Sequence, residues 1–294
     1  MGEKQKMIES KGLSFSYAQA EEGVQTLVLN DLNITIEAGS FVGILGANGS
    51  GKSTFSKLLN GLLLPMGGKV FVLGMDTQAE EHLLSIRQSV GLVFQNPDNQ
   101  IVSSLVEDDV AFAPENLGVC PKEIRARVDH ALAAVGLADF ARHAPHLLSG
   151  GQKQRLAIAG ILAMQPKCIV LDEPTAMLDP IGRKEVLKTV LDLCRTHGIT
   201  VILITHHMNE CVEADRLLVM DAGQVVQDGT PKQIFAQVEY LESLGLSVPD
   251  STKLLHLLRS QGHHLPLGAF GAKECAQMIF DAIEGVCHAG NSSN

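Results

Sequence analysis

One segment of the chain has the residue types and spacing that hold the phosphates of a nucleotide. It is Gly46-Ala-Asn-Gly-Ser-Gly-Lys-Ser53, which matches the pattern G-x-x-x-x-G-K-[ST] in full. Glycines let backbone N–H groups face phosphate oxygens, and a helix that begins there adds the positive end of its dipole. We predict that Lys52 reaches the β- and γ-phosphates, that the Ser53 hydroxyl binds Mg²⁺, and that Thr54 hydrogen-bonds a phosphate oxygen. The predicted phosphate-binding residues are Gly46, Ala47, Asn48, Gly49, Ser50, Gly51, Lys52, Ser53 and Thr54.

A pair of carboxylates, Asp172 and Glu173, follows the apolar run Ile169–Leu171, which predicts a strand. Asp172 is placed to hold the metal through water, and Glu173 to accept a proton from an attacking water. A general base of this kind contributes about 10²- to 10⁴-fold in rate. The alternative is a solvated acidic pair at a strand end, and the phosphate-binding motif in the same chain argues against it.

Two more polar residues end predicted strands. Gln95 follows the strand expected at Val90–Phe94, and its amide is a candidate for the Mg²⁺ shell or for orienting water, although a lone Gln is a weak signal. His206 ends the strand expected at 200–205 and is predicted to contact the γ-phosphate. The candidate catalytic residues are therefore Glu173 and His206, and the candidate metal site is Ser53, Gln95 and Asp172.

The segment Ser149-Gly-Gly-Gln152 opens a helix predicted at Lys153–Met164, and Ser149 is a suitable N-cap. This second helix end suited to phosphate lies far along the chain from the first.

Strands and helices must alternate to position these residues. Leu32–Ile36 alternates apolar and polar residues, whereas Phe41–Leu45 is apolar on both faces, as in the central strand of a covered sheet. Such alternation predicts a parallel core sheet with ligands at the carboxyl ends of its strands. The other expected elements are a helix at Ser53–Leu64, a strand at Lys69–Leu73, a helix at Gly182–Cys194, a helix near Asn209–Ala214 and a hairpin of Leu217–Met220 with Gln224–Gln227.

The predicted fold class is α/β, with a mostly parallel sheet, an N-terminal antiparallel β subdomain, an inserted helical subdomain and a C-terminal helical extension. The helical subdomain is expected at about 96–166, where Ile124, Val128, Leu132 and Val135 form one apolar stripe and Gly136 is a plausible stop. The predicted boundaries are a nucleotide-binding domain at 1–238 and an extension at 239–294 that ends in a flexible tail.

Composition excludes several classes of function. The chain has 294 residues and a formal net charge of −10, which argues against a nucleic-acid binder that needs clustered Lys and Arg. Its six cysteines lack Cys-x-x-Cys spacing and no signal peptide is recognised, so a reduced, cytosolic setting is expected. No apolar run approaches the roughly 18 residues that cross a bilayer, so if the protein works at a membrane, something else must hold it there.

Three segments together resemble the ATP-binding cassette (ABC) ATPases, a group of P-loop NTPases: Leu148–Gln152, Cys168–Glu173 and Ala176–Asp179. The resemblance implies ATP and Mg²⁺ as ligands and two chains that enclose two ATP molecules head to tail. It implies that Tyr17 stacks on adenine, with a core aromatic as the alternative. It further implies that Asp179 links the two sites and that the residues acting on the partner's ATP are Ser149, Gly150, Gly151 and Gln152.

A narrower resemblance is to the ATPase subunits of energy-coupling factor (ECF) transporters, which import vitamins and cobalt or nickel ions. Val93–Gln100 and Val106–Phe112 carry it, while Gln152–Gly160 and Thr175–Pro180 are similar to the first of two ATPase paralogues. The implied partners are a second ATPase, identical or paralogous, a transmembrane T component and a membrane S component that selects the substrate. The implied location is the cytoplasmic face of the cell membrane, with the protein bound peripherally.

The T component of that family uses arginine-bearing coupling helices, and an acidic groove is expected to receive them. We predict that Asp98, Glu107, Asp108 and Asp109 help to form it, with a plain solvated acidic face as the alternative. Two other functions stay open: the ATPase of another ABC importer or exporter, and a soluble ABC ATPase acting on DNA or ribosomes. The short segment between Gln95 and Ser149 and the single set of motifs argue against the soluble class.

Overall fold

The computed structural model describes residues 5–17, 27–263 and 265–290, with side chains described as far as residue 283. Strands and helices alternate along most of this length, as predicted. The strands are β1 (Lys6–Phe15), β2 (Leu29–Glu37), β3 (Phe41–Leu45), β4 (Gly67–Val72), β5 (Met75–Asp76), β6 (Val90–Val93), β7 (Cys168–Asp172), β8 (Thr200–Thr205), β9 (Arg216–Asp221) and β10 (Gln224–Gly229). The helices are α1 (Lys52–Leu59), α2 (Glu80–Ser89), α3 (Val106–Asn116), α4 (Pro121–Ala134), α5 (Gly150–Leu162), α6 (Pro180–Arg195), α7 (Pro231–Phe235), α8 (Val238–Ser243), α9 (Asp250–Ser260) and α10 (Ala272–Gly290).

The central sheet has the strand order β10-β9-β3-β8-β7-β6. All neighbours in it are parallel except β10, which forms the predicted antiparallel hairpin with β9. Every residue of β3, β7 and β8 is buried, which explains why their sequences are apolar on both faces. The carboxyl ends of the parallel strands meet at one edge, and each predicted catalytic residue follows such an end.

A smaller antiparallel sheet with the order β2-β1-β4-β5 covers one side of the central sheet, as the fold class predicts. In β2 the apolar residues Leu32, Ile34 and Ile36 are buried, while Asn33 and Glu37 are exposed. They share a core with Phe55 of α1 and Ile204 of β8, so this core holds the phosphate-binding helix against the sheet.

The inserted helical subdomain consists of α3, α4 and α5. Three residues of the predicted stripe, Val128, Leu132 and Val135, are buried, and Ile124 is partly buried against the same core. Helix α4 ends as predicted, because Gly136 takes a φ of 70° and its N–H bonds the Ala133 carbonyl at 3.1 Å.

Three local predictions were wrong or incomplete. The helix that begins the phosphate-binding site ends at Leu59 rather than Leu64, because Gly61 adopts a φ of 68°. The helix expected near Asn209–Ala214 is a single 3₁₀ turn at Met208–Cys211. Helix α2 was missed because Ile86 is its only buried residue, which leaves no apolar stripe to recognise.

The C-terminal part of the described chain contains a small core of its own. Leu255, Leu265, Ala269 and Cys275 are buried together between α9 and α10. In contrast, Leu241 of α8 belongs to the core of the main body. The boundary after residue 238 stays a prediction, and most of the expected flexible tail, 291–294, lies outside the described residues. No helix in the described part of the chain combines the length and apolar character that crossing a membrane requires.

Candidate functional site

The phosphate-binding motif forms the turn between β3 and α1. Residues 46–51 make the loop, and Lys52, Ser53 and Thr54 begin the helix. Gly51 is the N-cap with a φ of 99°, a conformation that favours glycine. A Cβ at Gly46 would lie 2.4 Å from the Met220 carbonyl oxygen, so a larger residue there would displace the backbone. The glycines of the motif are therefore required by the local backbone.

The Lys52 side chain lies inside this loop. Its Nζ donates to the carbonyl oxygens of Gly46 at 2.8 Å and Ala47 at 2.9 Å. Burial lowers the pKa of Lys52, while the carboxylates of Glu173 and Asp172 act in the opposite direction. The loop thus holds a desolvated cation that an anionic phosphate would stabilise.

Ser53 and Asp172 meet at the edge of the sheet. The Ser53 hydroxyl donates to Asp172 Oδ1 at 2.9 Å. Burial raises the pKa of Asp172, and the Ser53 hydrogen bond opposes this. A hydroxyl beside a carboxylate is a hard oxygen donor set, and a divalent cation would compensate the buried charge. These residues therefore fit Mg²⁺.

Glu173 contacts the two other polar residues predicted at strand ends. Its carboxylate lies 3.2 Å from His206 Nδ1 through one oxygen and accepts from Gln95 Nε2 at 3.4 Å through the other. The structure thus places Gln95 against the predicted base. Glu173 has a φ of 49°, which is uncommon for a residue with a Cβ, and such backbone strain is concentrated at functional sites.

Tyr17 lies beside the phosphate-binding helix. Its hydroxyl is 3.1 Å from the Thr54 Oγ1, and its ring packs edge-on against Phe15 with centroids 5.0 Å apart. The residue is 60% exposed, which disagrees with a core role and leaves the ring available for stacking. The contact between the Tyr17 and Thr54 hydroxyls involves the Thr54 oxygen that was predicted to bond a phosphate oxygen.

Ser149 is the N-cap of α5, as predicted. Its Oγ accepts from the Gln152 N–H at 3.3 Å, and its own N–H donates to Gln152 Oε1 at 2.8 Å, which completes a capping box. Asp179 is the N-cap of α6, and its Oδ1 accepts from the Gly182 N–H at 2.9 Å. A sequence search for Asp before a Pro–x–Gly helix start would have found this second cap.

The starts of α5 and α6 pack together and form one concave surface. A Cβ on Gly151 would lie 2.9 Å from the Gly182 Cα, so small residues allow this approach. The surface encloses about 490 Å³ and is lined by Ser149, Gly150, Gly151, Gln152 and Asp179 among others. Among the described residues, none of those that line this surface belongs to the loop at 46–54. The chain therefore carries two separate surfaces suited to phosphate.

The segment that carries Gln95 is braced by two glutamines that the sequence analysis did not single out. Gln100 accepts from the Phe94 N–H at 2.8 Å and donates to the Leu92 carbonyl at 3.1 Å. Gln154 of α5, fully buried, donates to the Phe94 carbonyl at 3.3 Å. A polar residue on the buried face of α5 is the signal that would have found Gln154. The helix that Ser149 caps is thus tied to the segment that follows β6 and carries Gln95.

Four acidic residues were predicted to form a groove, and the structure separates them. Asp98 pairs with Lys153 at 2.8 Å. Glu107 and Asp108 line a groove of about 450 Å³ between α3 and α4. Asp109 is buried, and its carboxylate accepts from the backbone N–H groups of Val102 at 2.7 Å and Ser103 at 3.0 Å. Including Asp109 was wrong, because its carboxylate is buried and stabilises the loop before α3.

Comparisons with known proteins agree with this geometry. Residues 29–176 match a family model described as ABC transporter. The chain is 58% identical over 262 residues to the energy-coupling factor transporter ATP-binding protein EcfA1 of Clostridium perfringens, covering 89% of this chain and 92% of that one.

Two solved structures are also similar. The first is cbiO1 of Clostridium perfringens, described as part of the ABC transporter complex cbiONQ, with a TM-score of 0.74 and 36% identity over 87% of this chain and 99% of that one. The second is a dimeric ATP-binding cassette in a post-hydrolysis state, bound to ADP and Pi. It has a TM-score of 0.68 and 31% identity over 76% of this chain and 99% of that one.

Proposed function

Because this chain belongs to the ABC transporter ATPases and, among them, to the energy-coupling factor ATP-binding proteins, we propose that it hydrolyses ATP to power micronutrient import through membrane partners. The imported molecule is a vitamin or a transition-metal ion. The observation that carries the proposal is the contact of Glu173 with His206 at the sheet edge that also holds Ser53 and Asp172.

Each residue at this edge of the sheet has a different role in ATP hydrolysis. Backbone N–H groups of the loop bind the phosphates, and the Lys52 ammonium exchanges its loop carbonyls for phosphate oxygens. Ser53 and Asp172 would hold Mg²⁺, which supplies neutralisation of the phosphate charge when bound. Glu173 accepts the proton of the attacking water as the bond from the γ-phosphorus to ADP breaks. His206, held by Glu173, senses the γ-phosphate.

We infer that the surface formed by α5 and α6 serves the ATP of a partner chain. Its separation from the loop at 46–54 supports this, as does the dimeric arrangement of a solved relative. Each complete site then needs two ATPase chains, because Ser149 and Asp179 of one chain face the nucleotide of the other. ATP binding draws the chains together and hydrolysis releases them.

Replacing Ser149 with arginine is expected to lower ATP hydrolysis by the assembled ATPase pair by about 10²-fold, because it fills the surface that would stabilise the partner's phosphates. ATP binding to the isolated chain stays at the parent level, since the loop at 46–54 is untouched. Turnover and ATP affinity are measured separately, and Ser243→Arg on α8 serves as the exposed control. If the isolated Ser149→Arg chain lost ATP affinity by the same factor as the pair loses turnover, Ser149 would act on the nucleotide of its own chain.

The proposed partners are a second ATPase, a transmembrane T component and a substrate-selecting S component, which place the chain at the cytoplasmic face of the cell membrane. The ECF relatives and the cbiONQ component support this set. Among the described residues, Asp108 supplies an unpaired carboxylate to the groove between α3 and α4, in which Glu107 pairs with Arg125 at 2.6 Å, and an arginine-bearing helix would dock there.

Reversing the charge of this groove is expected to weaken membrane recruitment. The variant Asp108→Lys should reduce co-purification with the membrane subunits about tenfold while leaving ATP binding unchanged, because like charges then oppose docking. Asp129→Lys is the matched control: Asp129 shares Arg125 with Glu107 but does not line the groove. Unchanged recruitment of Asp108→Lys would contradict a role for the groove.

Purification of the tagged chain from membranes tests the proposal as a whole. A second ATPase and two membrane proteins should accompany it, and the assembled complex should hydrolyse ATP. A soluble homodimer bound to DNA or ribosomes would overturn the proposal.

A further inference from the structure

A buried carboxylate lies behind the candidate catalytic residues. Glu210, in the 3₁₀ turn after β8, is 5% exposed. Its Oε1 accepts from the Thr175 hydroxyl at 2.5 Å, and its Oε2 accepts from the Thr205 hydroxyl at 2.7 Å. Burying a carboxylate is costly unless hydrogen bonds or charges compensate it. Glu210 is thus held by two hydroxyl groups, each on a threonine that is 1% exposed.

The two threonines belong to the chain segments that carry the catalytic pair. Thr175 lies in the turn that follows Glu173, where the Ala176 N–H bonds the Glu173 carbonyl at 3.2 Å. Thr205 immediately precedes His206 and accepts from the His207 N–H at 2.9 Å, which leaves its own proton for Glu210. One carboxylate therefore joins the segment of Glu173 to the segment of His206.

A third element also reaches this carboxylate. Arg183, in the first turns of α6, has its Nε 3.6 Å from Glu210 Oε1. Its backbone N–H bonds the Asp179 carbonyl at 2.9 Å, so it belongs to the helix start that lines the partner-facing surface. Arg183 compensates the buried charge and connects it to α6.

We propose that Glu210 is a positioning residue for ATP hydrolysis, acting through Thr175 and Thr205 to keep the Glu173 carboxylate beside His206 Nδ1. This inference rests on the proposed function. Glu173 adopts a positive φ, a conformation that persists only where its surroundings enforce it. A displacement of about 1 Å in a catalytic group can lower the rate about 10²-fold, so small shifts of either segment matter.

The variant Thr205→Val removes one hydroxyl bond to Glu210 and conserves volume. In the purified transporter complex we expect kcat to fall about 10- to 100-fold, with the KM for ATP changing less than about threefold. Thr205→Ser keeps the hydroxyl and should restore kcat to within about threefold of the parent. Thr200→Val is the matched control: Thr200 begins the same strand, is 1% exposed, and accepts a hydrogen bond from the Gly39 N–H at 2.9 Å.

Thr205 also accepts a hydrogen bond from the His207 N–H, so a loss of kcat in Thr205→Val could come from either contact. A variant of the other threonine distinguishes them. Thr175→Val removes the other hydroxyl bond to Glu210 and leaves the Thr205–His207 contact in place, and it should lower kcat in the same way. On a Glu210→Met background, which has no oxygen to accept from Thr175, Thr175→Val should lower kcat by less than about a further twofold, because the two residues act through one contact.

The outcomes separate this inference from the function on which it rests. If the parent complex does not hydrolyse ATP, the proposed function fails. If the parent is active and both Thr205→Val and Thr175→Val match Thr200→Val in kcat, Glu210 has no positioning role. A raised KM with unchanged kcat would also overturn the inference, and Thr175→Val decides the matter if Thr205→Val does not fold.

Discussion

Replacing Glu173 with glutamine is expected to lower the turnover of ATP by about 10²- to 10⁴-fold while leaving ATP binding intact. Glutamine has the size of glutamate and can retain contacts with Gln95 and His206, which lie 3.4 Å and 3.2 Å from the carboxylate oxygens. An amide oxygen is a poor acceptor of a proton from water, so the proton-transfer step fails. Bound ATP then persists, and the two ATPase chains should accumulate in the closed state.

Two measurements check this outcome: the steady-state release of phosphate and the amount of ATP retained by the purified pair after gel filtration. Glu213→Gln is the matched control, because Glu213 is an exposed glutamate in the segment between β8 and β9 and was not predicted to act in catalysis. A variant Glu173→Gln that hydrolyses ATP at nearly the parent rate would show that Glu173 is not the general base.

Replacing Lys52 with methionine is expected to weaken ATP binding by about 10²-fold, which corresponds to the loss of one buried charge contact. Lys52 is 5% exposed, and its ammonium group already donates hydrogen bonds to the carbonyl oxygens of Gly46 and Ala47. Phosphate oxygens would replace those carbonyls in the loaded loop. Methionine keeps most of the side-chain volume but supplies neither the charge nor the donors.

Calorimetric titration of the isolated chain with ATP and Mg²⁺ measures this loss directly. At one fixed ATP concentration the rise in Tm should be smaller in the variant than in the parent, since ligand stabilisation follows the affinity. Lys188→Met, an exposed lysine on α6, should retain the parent affinity. An affinity within about threefold of the parent in Lys52→Met would exclude a phosphate-binding role for Lys52.

The sequence predicted an element correctly where burial of that element produces a recognisable local pattern of apolar residues. The buried strands β3, β7 and β8 were visible as apolar runs, and their carboxyl ends necessarily lie at one edge because the strands are parallel. The sequence patterns failed where an element buries too few apolar residues to form a stripe, or where a backbone conformation ends it. Helix α2 buries only Ile86, and the helix expected to reach Leu64 ends at Leu59 because of the backbone at Gly61.

Polar residues were harder to assign than strands. Asp109 looked like part of an acidic surface because its neighbours Glu107 and Asp108 are charged, but its carboxylate binds two backbone N–H groups. Glu210 gave no signal at all in the sequence. Its role depends on Thr175 and Thr205, which come from two different strand ends.

The sequence by itself determined the family, the phosphate-binding loop and the acidic pair at 172–173, because each depends on contiguous residues whose conformation is set locally. Tertiary structure alone decided which polar groups touch. It placed Gln95 and His206 against Glu173, the N-caps Ser149 and Asp179 on one shared surface, and Glu210 against threonines of the segments that carry the candidate catalytic pair. The physical reason is that these contacts join residues far apart in the chain, and their distances are fixed by the packing of strands and helices.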